Sequence, residues 1–193
     1  FEIILNILND MNKGVWDINK IKKLLIKEYT VNYKDYLNKI KDILSNEGKK
    51  FYIYQVFSKK LSLSDYIMSE NYFLSLMDIW ILSNTLKLPI IVISAGKITY
   101  TGEKYFVMNN NIENTYFILK ITISTEKKLY PEYRLIVDSK GSKNINTEEV
   151  LLKDKESDIT KSLKDVVEDG LNLDVRRYLD TYRIKKKKIL LVK

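Results

Sequence analysis

Chemistry in this chain must come from carboxylates, lysines and tyrosines, because none of its 193 residues is cysteine or histidine. Without cysteine there is no thiolate nucleophile, disulfide framework or cysteine-ligated zinc. Without histidine the commonest general base is gone, and with it every Ser-His-Asp or Cys-His arrangement. Four constellations remain. Glu132 and Asp138 could pair for acid–base or metal work, but six residues apart on an expected strand they read as two carboxylates facing water. Asp78, just before Ile79-Trp80, reads as a local cap or the partner of a nearby lysine. Asp154, Glu156 and Asp158 alternate without the glycine and terminal glutamate of a calcium loop, so they read as a solvated turn. Lys185, Lys186, Lys187 and Lys188 form a run near Arg176, Arg177 and Arg183 that could attract phosphates or an anionic surface. The plain alternative is a helix end whose dipole favours cations.

The net charge of +8 is spread along the chain: residues 1–138 hold 19 basic and 15 acidic side chains, and residues 139–193 hold 14 and 10. No RNA-recognition motif or basic zipper supports a nucleic-acid reading beyond the lysine run. A hydrophobic content of 45% supports one real core plus a small appendage. Isolated Gly96, Gly102 and Gly141 make no phosphate-binding loop, and Trp16, Trp80 and the tyrosines read as core or interface anchors. No run is long and apolar enough to span a membrane. The segment Phe1–Leu8 lacks a basic region and a cleavage site, and a chain opening on Phe1 is expected to be a fragment or a processed product.

Asp17 can cap a helix carrying Ile18, Ile21, Leu24 and Leu25, and Tyr33, Leu37, Ile40 and Leu44 mark a second one, stopped by Gly48. Phe51 to Phe57, aromatic and β-branched, reads as a strand or extended connector. Ser62 or Ser64 opens a short helix around Tyr66 to Met68, and the strongest helical period runs from Asn71 to Lys87. The apolar run Leu88 to Ser94 reads as a strand buried on both faces. Strands are expected at Tyr105–Met108, Tyr116–Ile123 and Tyr133–Val137, with turns at Asn109–Asn111 and Ser124–Lys128. Beyond Asp138 the expectation is mainly helical. A short helix would start at Thr147, one capped by Asp158 would carry Ile159, Leu163, Val166 and Val167, and another would cover Asp174–Arg183. Ile189–Val192 would end the chain as a strand.

The segment LSLSDYIMSENYFLSLMDIWILSNTLKLPIIVIS, Leu61 to Ser94, resembles the centre of ovarian-tumour-like (OTU) cysteine proteases. In that family a short helix ending in Met precedes a loop, an acidic-containing helix and a strand of the form "pIxV". Tyr66 and Met68 match the first part, Asp78 the acidic position, and Ile90 and Val92 the strand. Further on, TYFILKIT (Thr115–Thr122) is similar to the family's penultimate strand, and PEYRLIVD (Pro131–Asp138) to the strand bearing the catalytic histidine. By that match Tyr133 is the aromatic that follows the histidine, and Glu132 stands in the histidine's place. FEIILNILNDM (Phe1–Met11) resembles the helix that starts with the catalytic cysteine, whose position falls at or before Phe1.

The resemblance implies an α+β, papain-like domain over residues 1–138, with helices packed on a small mixed or antiparallel sheet, and a mainly helical extension with a basic tail over 139–193. It also implies a lost active site. A thiolate at a helix N-terminus needs an imidazole to take and return its proton, and a carboxylate at position 132 cannot do both. The expected function is therefore a catalytically inactive pseudo-deubiquitinase, without cofactor or metal. It would bind a protein partner, ubiquitin-like or from a virion, through surfaces including Asp78, Glu132 and Tyr133. The balance of Lys, Asn, Ile and Tyr looks AT-rich and points to the OTU-like proteins of large DNA viruses. The expected location is a reducing, intracellular compartment, host cytoplasm or virion. Two alternatives stand beside it: a nucleic-acid- or virion-associated module binding through Lys185–Lys188, and a fragment of an active protease whose cysteine lies upstream of Phe1.

Overall fold

A computed structural model describes residues 1–94, 105–109, 113, 115–123, 131–146, 151–154, 159–162 and 171–172. The architecture is α+β, with helices in the first half and a small mixed sheet after them. The chain divides into two compact units, one made of Phe1–Leu88 with Thr125–Pro131, the other of Pro89–Ser124 with Glu132–Lys193.

The first unit is helical: α1 (Glu2–Asp10), α2 (Ile18–Lys27), α3 (Leu37–Leu44), α4 (Lys50–Phe57), α5 (Leu63–Met68) and α6 (Leu76–Leu86). Asp17 starts α2 by accepting a hydrogen bond from the Lys20 N–H at 2.7 Å, and Ser62 starts α5 by accepting one from the Asp65 N–H at 2.9 Å. Each thereby satisfies a backbone donor that a helix N-terminus leaves open. Two departures from regular helix set up the interior. After α2 the chain widens into a π-helical turn, Glu28–Asn32, which carries Tyr29 fully into the core. After α3 the turn Ser45–Lys49 leaves helical geometry at Glu47 and Gly48, and Gly48 takes φ +93°, a left-handed conformation that only glycine adopts cheaply. That reversal starts α4 and carries Lys49 inward, where it is wholly buried.

Helix α2 packs on α5 and α6, and α4 packs on α3 and α5. The apolar stripes Ile4-Ile7-Leu8, Ile21-Leu25, Ile40-Ile43-Leu44 and Ile53-Val56 supply the core together with Tyr66 and Ile67. Every residue of α6 from Leu76 to Ser83 is buried, which marks it as a central helix and not a surface one.

The second unit holds the sheet: β1 (Ile90–Ile93), β2 (Tyr105–Val107), β3 (Thr115–Ile123), β4 (Pro131–Ile136), β5 (Ile145–Asn146) and β8 (Leu171–Asn172). Its order is β4-β3-β1-β2-β8, with β5 pairing on β3. β1 runs parallel to β3, with Ile90 opposite Phe117, and antiparallel to β2, with Ile91 opposite Val107. All four residues of β1 are buried, as an apolar run in the middle of a sheet requires. One face gathers Ile91, Ile93, Val107, Tyr116, Ile118 and Ile145. A separate hairpin joins β6 (Leu151–Asp154) to β7 (Ile159–Ser162), with Leu151 opposite Ser162.

Four expectations are corrected. Phe51–Phe57 is helix α4 and not a strand: Ile53 and Val56 point inward three apart while Phe51, Tyr54 and Phe57 point outward three apart. The long helix begins at Leu76, not Asn71, because Ser75 caps it. Ile159–Ser162 is strand β7, with Ile159 paired to Asp154, and not the first turn of a helix; Leu163, Val166 and Val167 lie outside the described residues. β-branched Ile159 and Thr160 suit a strand, and their backbone pairs with Asp154 and Lys153. Among the described residues of 139–193 every element is a strand, where a mainly helical extension was expected. The turn at Ser124–Lys128, the helices expected at Thr147 and Asp174–Arg183, and the strand at Ile189–Val192 lie outside the described residues.

Candidate functional site

Asp78 is the most heavily bonded carboxylate in the helical unit. It is the third residue of α6, and its carboxylate accepts from the Ser75 N–H at 2.7 Å, closing a capping box with the helix-capping serine. The same oxygen, Oδ2, accepts from the Ser75 hydroxyl at 2.9 Å and from the Lys49 ammonium. The other, Oδ1, accepts from the Tyr29 hydroxyl at 2.5 Å and the Tyr72 hydroxyl at 2.6 Å. Lys49 Nζ also lies 3.8 Å from the centre of the Tyr72 ring and 5.2 Å from that of Phe73. Glu47, from the turn that delivers Lys49, accepts from the Met77 N–H at 3.1 Å, a second donor at the start of α6.

Both charges are fully buried. Burial alone would raise the Asp78 pKa, but the Lys49 charge and the hydrogen bonds from Lys49, Ser75 and Tyr29 outweigh it and hold the carboxyl below its ordinary value. For Lys49, burial lowers the pKa and Asp78 opposes that. Tyr29 and Tyr72 are pushed well up, by burial first and by the Asp78 charge next, so both stay protonated donors. A carboxylate with about four lone-pair sites here meets five donors. It has no capacity left to take a substrate proton. What it does is join the α2 end, the α3–α4 turn, the loop before α6 and α6 itself.

The position matched to the OTU histidine is different in kind. Glu132 is exposed on β4, beside the more exposed Arg134, whose Nη2 lies 4.0 Å from the carboxylate. Tyr133 next to it is half-buried. Asp138 lies past the end of β4 and accepts from the Lys140 and Ser142 N–H groups at 2.8 and 2.7 Å, so it shapes the turn around Gly141 and makes no pair with Glu132 along a strand. Phe1 stands at the start of α1, with its ring centre 6.4 Å from that of Tyr72 and 5.5 Å from Lys22 Nζ. Asp78 and Phe1 belong to the helical unit, Glu132 and Tyr133 to the sheet unit. Lys185 to Lys188, Glu156 and Asp158 lie outside the described residues.

Among the described residues no group of three or more carboxylates could hold a metal ion, and no helix is long and apolar enough to cross a membrane. A surface that sequence reasoning missed lies on α4. Phe51, Tyr54 and Phe57 are 67%, 69% and 49% exposed. With Ser45, Lys50 and Ile53 they line an open pocket of about 540 Å³. Reading 51–57 at period two hid it; the three-residue spacing of its exposed aromatics was the available signal. Lys49 was missed too, since nothing local to Gly48-Lys49-Lys50 says which lysine turns inward. Asp78 was legible through Ser75-x-x-Asp78 ahead of an apolar run, the signature of a capping box.

The class of protein defined to this point is an α+β chain with a closed ionic centre in its helical unit. No family model matches this chain, and neither does any curated protein or solved structure.

Proposed function

We propose that this chain is a catalytically inactive OTU-like module, a pseudo-deubiquitinase that acts by binding protein, and that it comes from a large DNA virus. The observation that carries the non-catalytic reading is the saturation of Asp78: its carboxylate is buried and already bonded to Lys49, Tyr29, Tyr72 and Ser75. Glu132, in the position matched to the histidine, is exposed, and its side chain is a carboxyl group and not an imidazole. Such a group cannot take a proton from a nucleophile and return it as an imidazolium would. The sequence holds no cysteine for it to activate. Binding is favoured by the aromatic pocket on α4, which offers apolar area to a partner without any group aligned for chemistry. The partner in this reading is a ubiquitin-like or virion protein.

The test is hydrolysis of a fluorogenic ubiquitin C-terminal amide by the purified chain. The expected rate equals that of buffer; saturable turnover would overturn the reading.

A further inference from the structure

The α4 surface has properties that select a kind of partner. Phe51, Tyr54 and Phe57 recur at intervals of three, so one stripe of the helix carries all three aromatics outward while Ile53 and Val56 hold the opposite stripe in the core. An aromatic exposed by half or more is ordinary when single. Three in a row around one pocket form a patch, and such patches mark interaction sites. The pocket volume, about 540 Å³, sits within the roughly 300–1,000 Å³ typical of sites that engulf a ligand's apolar part.

The rim is basic. Between residues 39 and 60 the chain has six lysines and two acids, Asp42 and Glu47. Lys49 is neutralised by Asp78, and Glu47 is turned onto the Met77 N–H. Asp42 is half-buried on α3. Lys50 is exposed and lines the pocket, Lys41 places Nζ 5.1 Å from the centre of the Phe57 ring, and Lys39 lies over the Tyr36 ring instead. An apolar floor edged by ammonium groups complements a segment with apolar side chains on one stripe and carboxylates beside them. The same charge argues against two other occupants. The chain's own Ile189–Val192 is preceded by four lysines, and a second copy of α4 would bring lysine rim against lysine rim.

We infer that the α4 face is the docking site for an acidic amphipathic helix of a partner protein, its apolar side chains entering the Phe51–Tyr54–Phe57 pocket and its carboxylates meeting the lysine rim. The inference deepens the binding-module reading and rests on it for the class of partner, but not on the OTU resemblance.

The experiment measures fluorescence anisotropy of a labelled helical peptide with leucines at i, i+3 and i+7 and flanking glutamates, titrated with the full chain. A second peptide carries lysines in place of the glutamates. The glutamate peptide is expected to bind saturably, to weaken by about ten-fold with Phe51→Ser or Tyr54→Ser, and to outbind the lysine peptide by about ten-fold. Lys50→Glu should narrow the gap between the two peptides, an effect that loss of folding would not produce. Three parallel arms use a labelled oligothymidylate, a peptide of residues 185–193, and sedimentation of the chain alone. The inference is overturned by the absence of saturable binding to the glutamate peptide. It is equally overturned if Phe51→Ser instead abolishes oligothymidylate binding, tail-peptide binding or self-association. Failure here leaves the non-catalytic reading standing, because only turnover of a ubiquitin substrate removes that one.

Discussion

Asp78 and Lys49 are each other's reason to be buried. Two charges removed from water are tolerated only when paired and hydrogen-bonded, and here the carboxylate gains four further donors from Ser75, Tyr29 and Tyr72. Removing one partner leaves the other charge uncompensated, so Lys49→Met or Asp78→Asn should each cost about 3–5 kcal/mol in urea unfolding. The double variant should lose clearly less than the sum, and strict additivity would show that the two charges do not couple. Acid offers an independent check. The folded-state pKa of Asp78 lies below its ordinary value of 3.8. Below that ordinary value the unfolded chain takes up the proton first, so the stability present above it drains away as pH falls through the folded-state value. Unfolding midpoints of the wild type should therefore drop on acidification below pH 3.8, and those of Asp78→Asn should drop less. At this scale the sequence was half legible. Ser75-x-x-Asp78 announces a cap, whereas the lysine that answers it is 29 residues away and is chosen by packing alone.

Elements were legible where local signals agreed with packing. Asp17 and Ser62 start helices where their side chains predict, and the apolar run at Ile90–Ile93 is the buried strand its composition requires. The failures have a common cause. Phe51–Phe57 and Ile159–Ser162 are short, and in short runs aromatic and β-branched residues fit helix or strand according to what lies beside them. For the first, the neighbour is the left-handed turn at Gly48, which starts a helix; for the second, it is β6, which recruits a strand. Gly48→Ala should therefore cost about 1–2 kcal/mol, the strain of a Cβ at φ > 0, and lower the thermal midpoint measurably. Phe51→Ser, on the exposed stripe of the same helix, should stay within about 0.5 kcal/mol of wild type in the same measurement. A large loss for Phe51→Ser would show that the stripe is structural and not a surface.

At the scale of the whole molecule, the helical unit carries the ionic centre and the aromatic pocket, and the sheet unit carries the exposed Glu132. Ile145–Asn146 and Leu171–Asn172 pair with strands of that sheet that lie tens of residues earlier, partners that sequence patterning does not reveal. The 193-residue sequence carries neither cysteine nor histidine, and Glu132 is exposed on β4. The most direct measurement is cleavage of a panel of diubiquitins of every linkage, followed by gel, with wild type and Glu132→Ala side by side. Intact substrate in both lanes, indistinguishable from buffer, is the result predicted; linkage-selective cleavage by the wild type that Glu132→Ala abolishes would contradict the account.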